Sequence, residues 1–252
     1  MVKDAEVELP SSNYTLPAGV SISGEEGSVL KVTGNNALKL SNGSSVSNMT
    51  IEATNTGDKW EYNSVLDITG NNVKVENVTI TSTNRDTPIK IGSIASADNE
   101  IVIKDSTIDA AFKAIHIVDG SKGKIIIDNC NISAVYPFNV NTTSDPEIIV
   151  KNSTLNGWTS YSGTAKKVTF TDCNFGKGHG YAVLMAYADT ELTNCTFSSD
   201  FEVYTKNGSG KTITFTNCNK AGTKITSANV NTIFDDTDSD SIKNSGWTVT
   251  VN

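Results

Sequence analysis

A short motif that recurs eight times constrains the fold of this 252-residue chain more than any other feature. The motif reads apolar, any residue, Asn or Asp, any residue, Thr or Asn, apolar, and only the last copy lacks the final apolar residue. Its Asn or Asp falls at Asn48, Asn77, Asp105, Asn129, Asn152, Asp172, Asn194 and Asn217. Seven steps separate the first from the last, so the average step is about 24 residues, which indicates a repeat architecture.

Apolar and polar residues alternate directly before and directly after each motif, and they alternate again in a short segment earlier in each unit. This pattern predicts three short strands per unit. No segment shows a helical period with capping residues. Three strands in each repeat predict an all-β fold, a single-stranded parallel β-helix (solenoid) whose coils stack about 4.8 Å apart. Asn and Asp tolerate the left-handed backbone conformation. We therefore expect an Asn/Asp ladder at the bend of every coil.

The ladder motif resembles the asparagine ladder of right-handed parallel β-helices in the pectate-lyase-like superfamily. The opening LPSSNYTLPAGVSISGEEG (9–27) is also similar to the first coils of such proteins. This resemblance covers roughly residues 7–220 and implies a right-handed β-helix of the bacterial surface or secreted type. We expect a single domain over 1–252, with an N-terminal coil and cap (1–27), regular coils (28–220) and a C-terminal coil and cap (221–252).

Charge and composition exclude some classes of binding partner. The net charge is −8, and Arg85 is the only arginine among 20 basic residues. A nucleic-acid or anionic-membrane binder would carry a basic surface, so neither partner is expected. No apolar run is long enough to span a membrane. The start, MVKDAEVELP, lacks signal-peptide features, so the chain is either intracellular or has lost its signal; the family resemblance favours an extracellular or cell-surface location.

The four cysteines each follow a ladder residue and are predicted to point inward in one column: Cys130, Cys173, Cys195 and Cys218. Cβ atoms one coil apart are about 4.8 Å from each other, beyond the mean for a disulfide, so we expect buried free thiols. No histidine joins the column to complete a zinc site. The acidic run DDTDSDS (235–241) lacks the Gly and Glu of a calcium loop. No metal and no cofactor is predicted.

In pectate-lyase-like enzymes the active site usually lies on the outer face of the first strand of each coil. By that resemblance the face is expected to carry Lys31, Asp67, Lys90, His116, Asn139, Ser162, a position near Leu184, and Glu202. Asp67, Lys90 and His116 fall in successive coils, and Lys90 or His116 is a candidate base for eliminating an acidic polysaccharide. The calcium-binding carboxylate cluster and the catalytic Arg motif of pectate lyases are missing. Asp67 and Glu202 are too far apart for two-carboxylate hydrolysis.

The competing prediction is a non-catalytic, adhesin-like protein that binds a polysaccharide or cell-surface glycan, and we favour it. Aromatic residues with polar neighbours suit sugar rings, and Trp158, Tyr161 and Asn139 are the candidate ligand-binding residues. Further aromatics are scattered along the chain: Trp60, Tyr62, Tyr181, Tyr187 and Tyr204. A purely structural spacer is a third alternative.

One stripe of apolar residues departs from the alternating pattern. Val102, Ile126 and Ile149 occupy outward positions in three successive coils and are expected to stack on one another. An apolar stripe on the outer surface predicts that a loop of this chain or another chain covers it. Self-association through these three residues is therefore a prediction of the sequence.

Overall fold

The computed structural model describes residues 6–9, 13–33, 37–54, 64–82, 87–92, 94, 96–118, 120–140, 145–161, 165–206, 210–234, 242 and 246–252. The chain forms a parallel β-solenoid of about eight turns, roughly 23 residues apart. The predicted β-helix and its period are confirmed.

The solenoid has three faces, which we call A, B and C in the order in which each coil passes through them. Face A is built from β2 (Tyr14–Leu16), β5 (Leu38–Leu40), β7 (Ser64–Ile68), β9 (Thr87–Ile91), the second halves of β11 (Thr107–Ile117) and β13 (Asn131–Val140), β16 (Trp158–Ser160), β19 (Val183–Ala186) and β22 (Glu202–Thr205). Face B contains β3 (Ser21–Ser23), the first halves of β6 (Ser45–Thr54) and β8 (Lys74–Ser82), β10 (Glu100–Lys104), β12 (Lys122–Asp128), β14 (Asp145–Lys151), β17 (Lys167–Thr171), β20 (Thr190–Thr193), β23 (Thr212–Thr216) and β26 (Thr248–Val251).

Face C contains β1 (Glu6–Glu8), β4 (Val29–Thr33), the second halves of β6 and β8, the first halves of β11 and β13, β15 (Thr154–Asn156), β18 (Asn174–Gly176), β21 (Thr196–Phe197) and β24 (Asn219–Lys220). Strands on each face pair in parallel with the equivalent strands of adjacent coils. Equivalent residues therefore form columns that run along the solenoid axis. Near the C-terminal end, β25 (Thr223–Lys224) turns back antiparallel to β24, and the short helix α1 (Val230–Ile233) follows.

The bend between faces B and C is the predicted ladder. All eight ladder residues have positive φ angles, between 51° and 57°. Asn77 donates from Nδ2 to Oδ1 of Asn48 at 2.9 Å, toward the preceding coil. The side chain of Asp105 has no N–H to donate, and its Oδ1 accepts from Nδ2 of Asn129 at 2.7 Å. The ladder is confirmed, and each amide in these pairs donates toward the N-terminal end.

The interior column after the ladder is buried along its whole length, and the four cysteines in it are free thiols, as predicted. Each Sγ lies within hydrogen-bond distance of the carbonyl oxygen two residues earlier, as in the 3.3 Å contact from Cys130 to Asp128. Ser153 occupies the same column and binds the Lys151 carbonyl in the same way. Small polar side chains thus satisfy carbonyl groups at the bend.

Core composition changes along the solenoid. The N-terminal coils are filled by stacked Val, Leu and Ile, whereas the C-terminal coils are filled by phenylalanines. Phe175 and Phe197 stack with ring centroids 4.9 Å apart, and Phe234, just after α1, packs edge-on against Phe197 at 5.2 Å. Within the expected C-terminal cap, β26 pairs in parallel with β23. Aromatic packing and this added strand cover the C-terminal end.

Candidate functional site

The outer surface of face A carries a column of polar side chains. Pairing places in register, in successive coils, Lys39, Asp67, Lys90, His116, Asn139 and Ser160. The sequence prediction that Asp67, Lys90, His116 and Asn139 share one outer column is confirmed in register. We call this set the polar column.

Two other assignments to this face are corrected. Lys31 lies on face C between Glu8 and Glu52, and Lys39 takes its place in the polar column. Beyond Ser160 the column continues with Met185, which is the position expected near Leu184, and then with Tyr204 in place of Glu202. Ser162 lies outside the described residues. The turns between faces C and A vary in length, so positions on face A cannot be counted from the ladder.

The charged members of the polar column are largely enclosed. Asp67 is 7% exposed and His116 is 4% exposed. Lys90 is partly exposed, and its Nζ lies 3.5 Å from Oδ2 of Asp67. An ammonium group held by a carboxylate has no lone pair with which to accept a proton. The structure thus brings the three candidate catalytic residues together but leaves little of Asp67 or His116 accessible to a substrate.

A row of four aromatic rings lies beside the polar column, where the chain enters face A. We call it the aromatic row, and its members are Phe112, Tyr136, Trp158 and Tyr181. Successive ring centroids are 5.3, 5.3 and 5.7 Å apart. Tyr181 is 42% exposed and the other three rings are half-buried. The row crosses four coils, roughly 14 Å at the strand spacing of a sheet.

Trp158 lies at the centre of the aromatic row, as the first residue of β16. Trp158 and Ser160 are two residues apart in the strand, so both side chains point to the outer surface. This places the indole next to the polar column. The indole Nε1 is buried and has no hydrogen-bond partner among the residues that the structure describes. A buried indole N–H usually has a partner.

A tight hairpin holds the exposed end of the row. Gly178 and Tyr181 exchange backbone hydrogen bonds at 2.8 and 2.9 Å around His179 and Gly180, both of which have positive φ angles. Two successive positive φ values define the type I′ turn of short hairpins. Nε2 of His179 lies 3.1 Å from Oδ1 of Asp109, 70 residues earlier in the chain. This contact fixes the hairpin against face C and so positions the Tyr181 ring over Trp158.

The prediction that Tyr161 binds ligand is wrong. Tyr161 is fully buried, and its hydroxyl is hydrogen-bonded to Oγ1 of Thr190. Its ring packs against Phe138 and Phe170 in the core, and burial raises the pKa of its hydroxyl far above the ordinary value. Alternation from the outward Ser160 places the next side chain inside. Trp60 and Tyr62 lie outside the described residues.

Sequence analysis identified Trp158 and Tyr181 among the candidate aromatic residues but did not identify Phe112 and Tyr136. A signal was present, because the four positions are separated by 24, 22 and 23 residues, the same step as the ladder. Partial burial raises the pKa of the Tyr136 hydroxyl, which therefore remains protonated and able to donate a hydrogen bond. The row combines flat apolar surface with hydroxyl groups at its edges.

No family model matches the chain, and no curated protein matches it significantly in sequence. The β-solenoid itself is shown by the strand pairing described above. Within the described residues, no helix is long and apolar enough to cross a bilayer. The same residues contain no cluster of three or more His, Cys, Asp or Glu side chains that would hold a metal ion.

Proposed function

We propose that the protein is an extracellular or cell-surface β-helix of the bacterial pectate-lyase-like type that binds glycans without catalysis. The observation that carries this proposal is the aromatic row on the outer surface of face A. Ligand sites typically combine aromatic surface with a few polar groups that fix orientation. Here the rings offer flat apolar faces to sugar rings, and Asn139 and Ser160 in the adjoining polar column offer hydrogen bonds.

Binding of oligosaccharides from neutral and acidic polysaccharides, measured by calorimetry, tests the proposal. Trp158→Ala should weaken binding about tenfold or more, because loss of a central aromatic contact costs on the order of 1–3 kcal/mol. Tyr14→Ala is the matched control, since Tyr14 is also an exposed aromatic but lies in β2 at the N-terminal end. Equal losses in the two variants, or no loss in Trp158→Ala, would contradict the proposal.

A second candidate function is elimination of an acidic polysaccharide, as the family resemblance suggests. The observation that favours it is the register that aligns Asp67, Lys90 and His116 in adjacent coils. New ultraviolet absorbance from an unsaturated product would reveal the reaction. His116→Ala should lower the rate by about 10²-fold or more, the usual contribution of a general base. Lys90→Ala should lower it by a similar factor of about 10²-fold, because the ammonium group would stabilise the negative charge that develops beside the carboxylate. Activity that survives both changes would place the chemistry elsewhere, whereas no activity combined with Trp158-dependent binding favours glycan binding.

A further inference from the structure

The outer surface of face B carries the apolar stripe that the sequence predicted. Strand pairing places Val102 beside Ile126 and Ile126 beside Ile149, in three adjacent coils. All three side chains are half-buried. They form the central column of an otherwise polar sheet surface. This stripe is on a different face from the polar column.

Two charged columns flank the stripe. The column two residues before it contains Glu100, Lys124, Glu147 and Lys167, and the column two residues after it contains Lys104, Asp128 and Lys151. In each column the charge alternates between negative and positive from coil to coil. The two columns are opposite in phase, which means that in each of the first three coils one column carries a negative charge and the other a positive charge. Nζ of Lys151 lies 3.2 Å from Oδ2 of Asp128, so pairing within a column explains the alternation. It does not explain the opposite phase.

We propose that face B docks against face B of a second copy of this chain, with the two-fold axis parallel to the solenoid axis. That rotation reverses the strand direction and keeps equivalent coils opposite one another. Glu100 then faces the partner's Lys104, and Lys124 faces the partner's Asp128. Each residue of the stripe meets its own copy on the axis, as the self-complementary contact of a two-fold dimer requires.

The charges disfavour one alternative axis. A two-fold axis along the strands through Ile126 would reverse the order of the coils. Lys124 would then face the partner's Lys124, and Glu100 would face the partner's Glu147. Like charges placed opposite each other disfavour an arrangement, whereas complementary charges favour one partner geometry. The opposite phase of the two columns therefore fits the axis parallel to the solenoid. An axis along the strands midway between Ile126 and Ile149 also pairs opposite charges, and the double variant described below distinguishes the two, because only the first axis predicts recovery.

The charged columns are four residues apart and the patch covers four coils, so it buries roughly 300 Å² per subunit. A stable interface buries about 800 Å² per partner, so we expect a transient dimer with a Kd on the order of 10⁻⁴ M. Face A of both subunits remains uncovered in this arrangement. The two aromatic rows would run in the same direction, as two linked binding surfaces.

Sedimentation velocity over a protein concentration series from about 10 µM to 1 mM tests the proposal without any substitution. The wild-type chain should shift from monomer to dimer. Lys124→Glu should raise the Kd about tenfold, because it places two like-charged pairs across the axis. The double variant Lys124→Glu, Asp128→Lys should return the Kd to within about threefold of wild type, since it reverses each pair.

Ser45→Lys is the matched control, because Ser45 lies in the same central column two coils before Val102 and outside the patch. It should leave the Kd unchanged. A wild-type chain that remains monomeric throughout the series overturns the proposal. So does a double variant as weak as Lys124→Glu alone, which would indicate a different axis, or a control as weak as Lys124→Glu. Circular dichroism establishes that each variant is folded.

Discussion

Replacement of Asn77 by Ala tests the physical basis of the ladder. Asn77 has a φ of 51° and donates to Asn48 at 2.9 Å, so the substitution removes two contributions at once. The left-handed conformation costs a residue with a Cβ about 1–2 kcal/mol, and this cost is already partly present with Asn. A lost neutral hydrogen bond adds about 0.5–1.5 kcal/mol. We expect Asn77→Ala to lower the free energy of unfolding by about 2 kcal/mol.

Asn77→Gly separates the two contributions, because glycine adopts positive φ readily but also lacks the amide. It should be less destabilising than Ala by about 0.5–1 kcal/mol. Thr79→Ala is the control: Thr79 is exposed two residues later on face C, and its loss should cost under about 0.5 kcal/mol. Urea unfolding followed by circular dichroism, at one low protein concentration, measures all three. The reasoning fails if Asn77→Ala is no worse than Thr79→Ala, or if Gly costs more than Ala.

Two further predictions concern titratable groups of the ladder and of the column behind it. The hydrogen bond from Asn129, followed by the attraction of Lys104, lowers the pKa of Asp105 below its ordinary value. A lowered folded-state pKa gives stability that is present above the unfolded pKa and is lost as the pH falls through the folded value. Asp105→Asn should therefore lose less stability than wild type on acidification below about pH 4, measured by thermal melting; identical acid profiles would contradict this. All four cysteines are buried, and burial raises the pKa of Cys130 to about 11. Native thiol titration should therefore be slow and denatured titration should find four thiols, whereas a mass showing a disulfide would contradict the column register.

The ladder and the interior column were predictable because every coil repeats the same local chemistry. Asn or Asp supplies the left-handed bend, and the residue after it must point inward, which fixes Cys130 and its neighbours in the column. Those constraints act within a few residues, so a motif in the sequence is enough to locate them. The strand pairing of Val102 with Ile126 follows from the same register.

Face A was less predictable because it lies on the other side of a turn of variable length. The prediction placed Lys31 and Glu202 in the outer column, whereas pairing places Lys39 and Tyr204 there. Tyr161 was assigned to the surface by its residue type, although alternation with Ser160 places it in the core. The contact between His179 and Asp109 joins residues 70 apart, and no local pattern indicates it.

The direction of the ladder has a consequence for biosynthesis. The amide of Asn77 donates to an oxygen of the preceding coil, and the amide of Asn217 does the same to Asn194. A nascent chain emerges from the ribosome N-terminus first, so each acceptor is already in place when its donor is translated. Because a coil contacts only its neighbours, the finished part of the solenoid acts as a template for the next coil. Whether the chain folds as it leaves the ribosome or as it emerges on the far side of a membrane, the solenoid can then grow coil by coil from its N-terminal end.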